Sequence, residues 1–313
     1  MTFGAACLFS VNGTVSKLIL TDGALSSLRL VEIRCAAAAL VYVAWSLLRN
    51  RRSLRITRRE LRFLVVYAVV GLAMVQWLYF VAIARMPVSI SLLVEFSAPL
   101  LVAMWVRFVR GEPVRARIWL ALACTLTGLA LVAQVWDGLT LDGVGLVAAM
   151  LAALSLAAYY LLGEKGLTSR DAISLAAWSF GLAAAFWALL LPWWTFPFGA
   201  LRGHLDLAVA SGGRFDAVLP VWALVAWVVL LGTVAPFGLI LGGLARIGAT
   251  RSGLIGTAEP ALAGVFAWVV LGEQLAPVQV LGGAVVLSGI VLAETARQPR
   301  PVPGAVPEGM TPV

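Results

Sequence analysis

The chain is 313 residues long, 62% hydrophobic and only 12% charged, with a formal net charge of +8 and a mean hydropathy of +0.98. A soluble fold of this size needs a largely polar surface, so the composition excludes a water-soluble globular protein. The basic residues fall between long apolar runs, where they mark topology and do not point to nucleic acid as a partner.

Ten apolar runs read as α-helical spans, near residues 2–20, 29–48, 61–84, 88–109, 117–135, 143–163, 171–192, 219–242, 250–271 and 277–295. The first has no basic segment ahead of it and contains Asn12, Ser16 and Lys17, so it reads as a mature helix and not as a cleaved leader. The loop after the second run carries Arg49, Arg51, Arg52, Arg55, Arg58 and Arg59. Arg107, Arg110, Arg115 and Arg117 flank the loop after the fourth. Alternate loops are poor in Lys and Arg, as in Trp136–Asp142 and Leu271–Pro277. Placing the Arg-rich loops in the cytoplasm leaves roughly 17 basic residues inside and about 6 outside, and puts both termini inside. The expectation is an all-α, multi-pass inner-membrane protein in contact with the lipid bilayer.

The longest loop, 193–219, falls on the outer side. It opens Trp193-Trp194-Thr195-Phe196-Pro197-Phe198, and aromatics there suit the headgroup interface. From Arg297 the chain is rich in Pro and Gly and reads as a disordered tail.

Cys7, Cys35 and Cys124 all fall in apolar runs, and the sole histidine, His204, stands in a polar loop. This pattern supports neither a disulfide framework nor a metal site. There is no HExxH motif, and the absence of a P-loop argues against ATP-driven transport by this chain alone. No cofactor is implied and no enzyme is expected. No selectivity-loop signature or ring of like charges marks a channel. Nothing in the sequence points to a homodimer or excludes one.

The two halves align. Ala84-Arg85 matches Ala245-Arg246, Pro99-Leu100-Leu101 matches Pro260-Ala261-Leu262, Gly111-Glu112 matches Gly272-Glu273, and Gly128 and Leu131 match Gly289 and Leu292. The separation is a constant 161 residues, as between Pro99 and Pro260, held without a gap over roughly 50 positions. The expected organisation is a first repeat at 1–136, a second at 137–296 and a tail at 297–313. Five spans per half would insert the halves upside down relative to each other. Inverted repeats are a common ground plan of secondary transporters, with the substrate site near the midplane between them.

These residues resemble the drug/metabolite transporter superfamily, in its EamA branch. The resemblance implies a ten-helix fold of two inverted five-helix repeats. The segments Gly13-Thr14-Val15-Ser16-Lys17, Leu93-Val94-Glu95-Phe96-Ser97-Ala98-Pro99 and Ala258-Glu259-Pro260-Ala261-Leu262 are similar to the threonine/homoserine exporter group. That similarity implies export of a small amino-acid-like metabolite.

Ionisable groups inside the hydrocarbon are costly and are candidates for function. Glu95 lies roughly 10 Å below the outer end of its span at 1.5 Å per residue. A carboxylate at that depth must pair, face a water-filled cavity or take up a proton. Glu259 lies at similar depth in the ninth span. Its repeat equivalent is Ala98, three residues after Glu95 and so on the same helix face. Such a pair of carboxylates suits binding of an ammonium group, or its exchange for protons. The alternative is that Glu259 caps a helix broken by Pro260. Lys17 either snorkels to the interface or meets a substrate carboxylate or Glu95. Asn12, Ser16, Gln76, Tyr79 and Ser91 are polar positions for the lining of a path or for hydrogen bonds between helices. Glu32 and Arg34 sit about one turn into the second span, where local pairing or interfacial solvation is expected.

Overall fold

The computed structural model describes residues 1–21, 25–83, 85, 88–132, 134, 142–206, 217–262 and 276–295. The Gly272-Glu273 turn and the tail from Arg297 lie outside the described residues.

Helix starts follow local chemistry. Helix α1 covers Thr2–Thr21. Helix α2 (Ser27–Arg49) is capped by Ser26, whose hydroxyl accepts from the Arg29 N–H at 3.3 Å. Helix α3 (Arg58–Val66) opens on a capping box, in which the Glu60 carboxylate accepts from the Thr57 N–H at 2.9 Å and the Thr57 hydroxyl accepts from Glu60. Asp142 and Asp171 cap α8 (Gly143–Gly166) and α9 (Ala172–Leu190), accepting from Gly145 and Ser174 at 2.7 and 2.8 Å. Each cap satisfies a helix-end donor where the chain leaves a polar loop.

The remaining helices are α4 (Met74–Ile83), α5 (Val88–Glu95), α6 (Ala98–Met104), α7 (Ala116–Val132), α10 (Val221–Val229), α11 (Ala235–Gly256) and α12 (Pro277–Thr295). Among the described residues six helical segments are long and apolar enough to cross a membrane, and two shorter apolar helices accompany them. Large apolar side chains such as Leu40, Leu48, Phe108 and Leu189 stay exposed, as a lipid-facing surface requires.

Two irregularities recur between the halves. Tyr67–Ala73 is a π turn joining α3 to α4, and Leu230–Val234 is a π turn joining α10 to α11. Gly71 and Gly232 sit in these turns at the same separation of 161 that relates Pro99 to Pro260. A further π turn, Trp105–Val109, follows α6 and ends at Gly111, whose φ of +70° suits glycine. The sequence reading placed a loop between its eighth and ninth runs, after residue 242. The structure breaks there too: Ala235–Gly256 is two helical runs that meet at a kink at Gly248 (φ 78°, ψ 173°). Arg246, which gives the stretch its loop-like polarity, donates to the Gly242 carbonyl of its own helix at 2.6 Å.

The four most extensive helix contacts keep their pattern on exchange of the halves. The most extensive contacts are α7 with α12, α2 with α9, α1 with α11, and α4 with α8. Matching the halves in chain order maps α7 onto α12 and α2 onto α9, and turns the α1–α11 contact into the α8–α4 contact. Small residues permit the closest of these approaches. A Cβ on Gly128 would meet the Gly282 carbonyl at 2.7 Å, and one on Gly282 would meet the Gly128 carbonyl at 2.7 Å.

The aromatic segment after α9 forms a small cluster. Trp193, Phe196 and Phe198 pack on one another, with Trp193–Phe196 and Phe196–Phe198 ring centroids 5.3 and 4.7 Å apart. Phe196 is buried with Leu205, Val221 and Leu224. Arg29 of α2 draws the segment down: it donates to Thr195 and lies 5.9 Å over the Phe196 ring. Trp194, 86% exposed, and the exposed Phe198 still suit a headgroup position. A short antiparallel pair, β1 (His204–Asp206) with β2 (Val218–Pro220), closes this loop, with Leu205 opposite Leu219.

Candidate functional site

A proline has no N–H to give to the carbonyl four residues back, and its ring crowds that carbonyl. Both halves use this near the middle of a span. Helix α5 stops at Glu95, four residues ahead of Pro99, and α11 stops at Gly256, four residues ahead of Pro260. A hydroxyl steadies each break. Ser97 Oγ donates to the Val94 carbonyl at 2.6 Å, and Thr257 Oγ1 donates to the Leu254 carbonyl at 2.5 Å. Past each break the chain turns helical again, through α6 in the first half and residues 258–262 in the second.

The carboxylates stand on opposite sides of their breaks, Glu95 before the first and Glu259 after the second. Both are half-buried, and each break brings its carboxylate within electrostatic reach of the other. Tyr79 of α4 and Tyr160 of α8 feel both charges. The two breaks also touch. A Cβ on Gly253 would lie 3.4 Å from Pro99 Cγ and 3.5 Å from the Tyr160 ring, and one on Gly256 would lie 2.8 Å from the Tyr160 hydroxyl. Ser10 of α1 shares its proton between the Ala6 carbonyl at 2.7 Å and the Glu259 carbonyl at 2.9 Å.

A buried cation adjoins Glu259. Arg34 of α2 is 9% exposed and lies in the field of Glu259. Its Nε donates to Thr233 Oγ1 at 2.9 Å, and its Nη2 donates to the Gly232 carbonyl at 3.3 Å. Tyr42 donates to the Val234 carbonyl. A π turn widens the helical ladder and releases carbonyls from it, and α2 supplies donors to those of the second half.

Among the residues singled out from sequence, Glu95, Glu259 and Tyr79 are thus brought together. Ser91 is buried one turn before Glu95. Gln76 is half-buried and donates to the Leu72 carbonyl at 3.2 Å, with Cys35 Sγ 4.0 Å away. Asn12 is buried against Gly232, and Ser16 follows one turn later on α1. Lys17 is on α1, but its side chain lies outside the described residues. Glu32 is fully buried and accepts from Arg29 at 2.6 Å, a local pair. Arg34 is neither locally paired nor solvated at the interface. It was missed with Tyr160 and Ser10 because hydropathy reads depth from the ends of a run. Its position seven residues into a helix that starts at Ser27, roughly 10 Å down, was the available sign.

The EamA-like transporter family matches the chain twice, over residues 1–134 and 143–295. The chain belongs to this family. The EamA-family chain is 23% identical over 291 residues to the uncharacterized inner membrane transporter YicL of Salmonella typhimurium, covering 92% of each. It is 28% identical over 242 residues to the threonine/homoserine exporter RhtA of Escherichia coli, covering 77% of this chain and 74% of that one. An uncharacterized transporter of Archaeoglobus fulgidus is 27% identical over 227 residues. A crystal structure superposes with a TM-score of 0.70 at 18% identity, over 93% of this chain and 96% of the other, a likeness of fold. This EamA-family chain is therefore a multi-pass transporter of the inner membrane.

Proposed function

We propose that the chain is a secondary carrier that exports a small amino-acid-like solute by alternating access. One observation carries this reading: each half contributes a carboxylate at a proline-broken helix, the two lie within electrostatic reach of each other, and a buried arginine lies in the field of Glu259. Carboxylates attract an ammonium group, and a guanidinium attracts a carboxylate. Broken helices near the midplane are a recurrent setting for transported solutes. The similarity to threonine/homoserine exporters supports the amino-acid assignment. In this reading Glu95 and Glu259 bind the ammonium group or exchange it for protons. Asn12, Ser16, Gln76, Tyr79 and Ser91 border the path, and Lys17 stands at its outer end. The chain makes ten spans, as inverted repeats 1–136 and 137–296, with both termini and the tail 297–313 in the cytoplasm.

The test is flux in proteoliposomes with labelled threonine, homoserine and a wider amino-acid panel, with and without a pH gradient. The expected outcome is saturable flux that responds to the gradient and falls at least tenfold, roughly the loss of one charged contact, in Glu95→Gln and in Glu259→Gln. Flux with unchanged pH dependence in both variants removes the proton role. No flux of any amino acid by folded protein moves the substrate to other metabolites or drugs.

A further inference from the structure

Building on the reading above, of an alternating-access carrier with its Arg-rich end in the cytoplasm, we propose that Glu164 is a latch holding the cytoplasmic end closed. Its carboxylate, near the end of α8, reaches two other elements at once. Oε2 accepts from Arg110 Nη1 at 2.7 Å. Arg110 caps the π turn after α6, so this bond ties the second half to the first. Oε1 accepts from the Ala249 N–H at 3.0 Å, just past the Gly248 break in α11. The break is shaped to receive it. Gly248 has a φ of +78°, and a Cβ there would come within 2.8 Å of Oε1.

The strength of the contact suits a gate. Arg110 and Glu164 are each 30% exposed and border a recess of about 230 Å³ with Glu112, Arg115, Gly248 and Arg251. A pair this open to water holds weakly, whereas a dry, fully buried pair resists separation. A contact that breaks in every cycle must be of the first kind. Glu164 lies outside the Glu95–Glu259 cluster, so its effect is on which end of the carrier opens and not on solute contact.

The test places spin labels on cysteines at Glu112 and Thr168, both exposed, in a background without Cys7, Cys35 and Cys124. Distances are read by pulsed EPR in nanodiscs without solute. Glu164→Gln is expected to raise the long-distance population about two- to fivefold, the range an exposed ion pair spans. Glu164→Ala, which also releases Ala249, moves it at least as far. The exchange Arg110→Glu with Glu164→Arg restores the short distance only in part, because an arginine cannot accept from the Ala249 N–H. In flux measurements KM on the cytoplasmic side falls by a similar factor without a rise in maximal rate. Unchanged distances in folded Glu164→Gln overturn the latch, as does a swap that restores nothing. The EPR readout needs no solute, so a failed amino-acid assignment leaves it intact.

Discussion

The two π turns related by the repeat, Tyr67–Ala73 and Leu230–Val234, differ in chemistry. At Tyr67–Ala73 the partner is aromatic. Gly71 lies against the backbone of Tyr159, and the Tyr67 and Tyr159 rings stack at 5.5 Å. At Leu230–Val234 the partner is polar. Gly232 lies against the side chain of Asn12, and Arg34, Tyr42 and Thr233 occupy the surrounding hydrogen bonds. Duplication preserved a helix irregularity that lets two helices approach, while the side chains around it diverged. The consequence is an asymmetric charge: the cation in the field of Glu259 is anchored on the second-half turn.

Breaking the polar turn should cost most. Arg34→Met leaves the Gly232 carbonyl without its donor and Glu259 without its nearby cation. A loss of about 3 kcal/mol is expected, read as a fall in Tm by scanning fluorimetry in detergent. An unchanged Tm would mean that the second turn holds itself, as the first does.

The glycines sharpen the contrast. Gly71→Ala would push a methyl to 3.0 Å from Tyr159 Cα, and backbone cannot step aside, so about 2 kcal/mol is lost and no single side-chain change restores it. Gly232→Ala collides at 1.8 Å with Asn12 Oδ1, the far end of a side chain. Its loss should be largely recovered in the double variant with Asn12→Ala. Recovery in neither, measured by the same thermal scan, would show that both contacts are set by backbone.

Tyr42→Phe removes one donor from the second turn and should cost about 1 kcal/mol. The smallest effect is expected far from both turns: Thr57→Ala opens the capping box of α3 at a cost of about 0.5–1 kcal/mol and should leave flux unchanged. A flux defect in Thr57→Ala would tie the Arg-rich loop to the transport cycle.

Hydropathy made the spans legible because lipid demands long apolar runs, and the constant separation of 161 residues located the repeat. It could not show the breaks within spans. Tyr67–Ala73 is as apolar as its neighbours, so a π turn leaves no mark on a hydropathy profile. Arg246 did mark the connection between the eighth and ninth runs, which the structure makes with a kink at Gly248. The carboxylates were visible by depth, and Pro99 and Pro260 explain why the chain can place them there. Arg34 was hidden because its partners are a hydroxyl and a carbonyl about 200 residues away in sequence, Thr233 Oγ1 and Gly232 O, and no local pattern encodes them.

The seam between α7 and α12 limits how such a machine can move. Backbone meets backbone there: besides the Gly128 carbonyl, a Cβ on Gly282 would strike Leu131 Cβ and Val132 N at 2.8 Å. Sliding α12 by one turn would bring Val286, on the same face as Gly282, toward that notch, where no side chain fits. The seam thus behaves as a ratchet with a single tooth. Any rearrangement of the halves must tilt about it like a door on its pin, and the neighbouring helices take up the sliding.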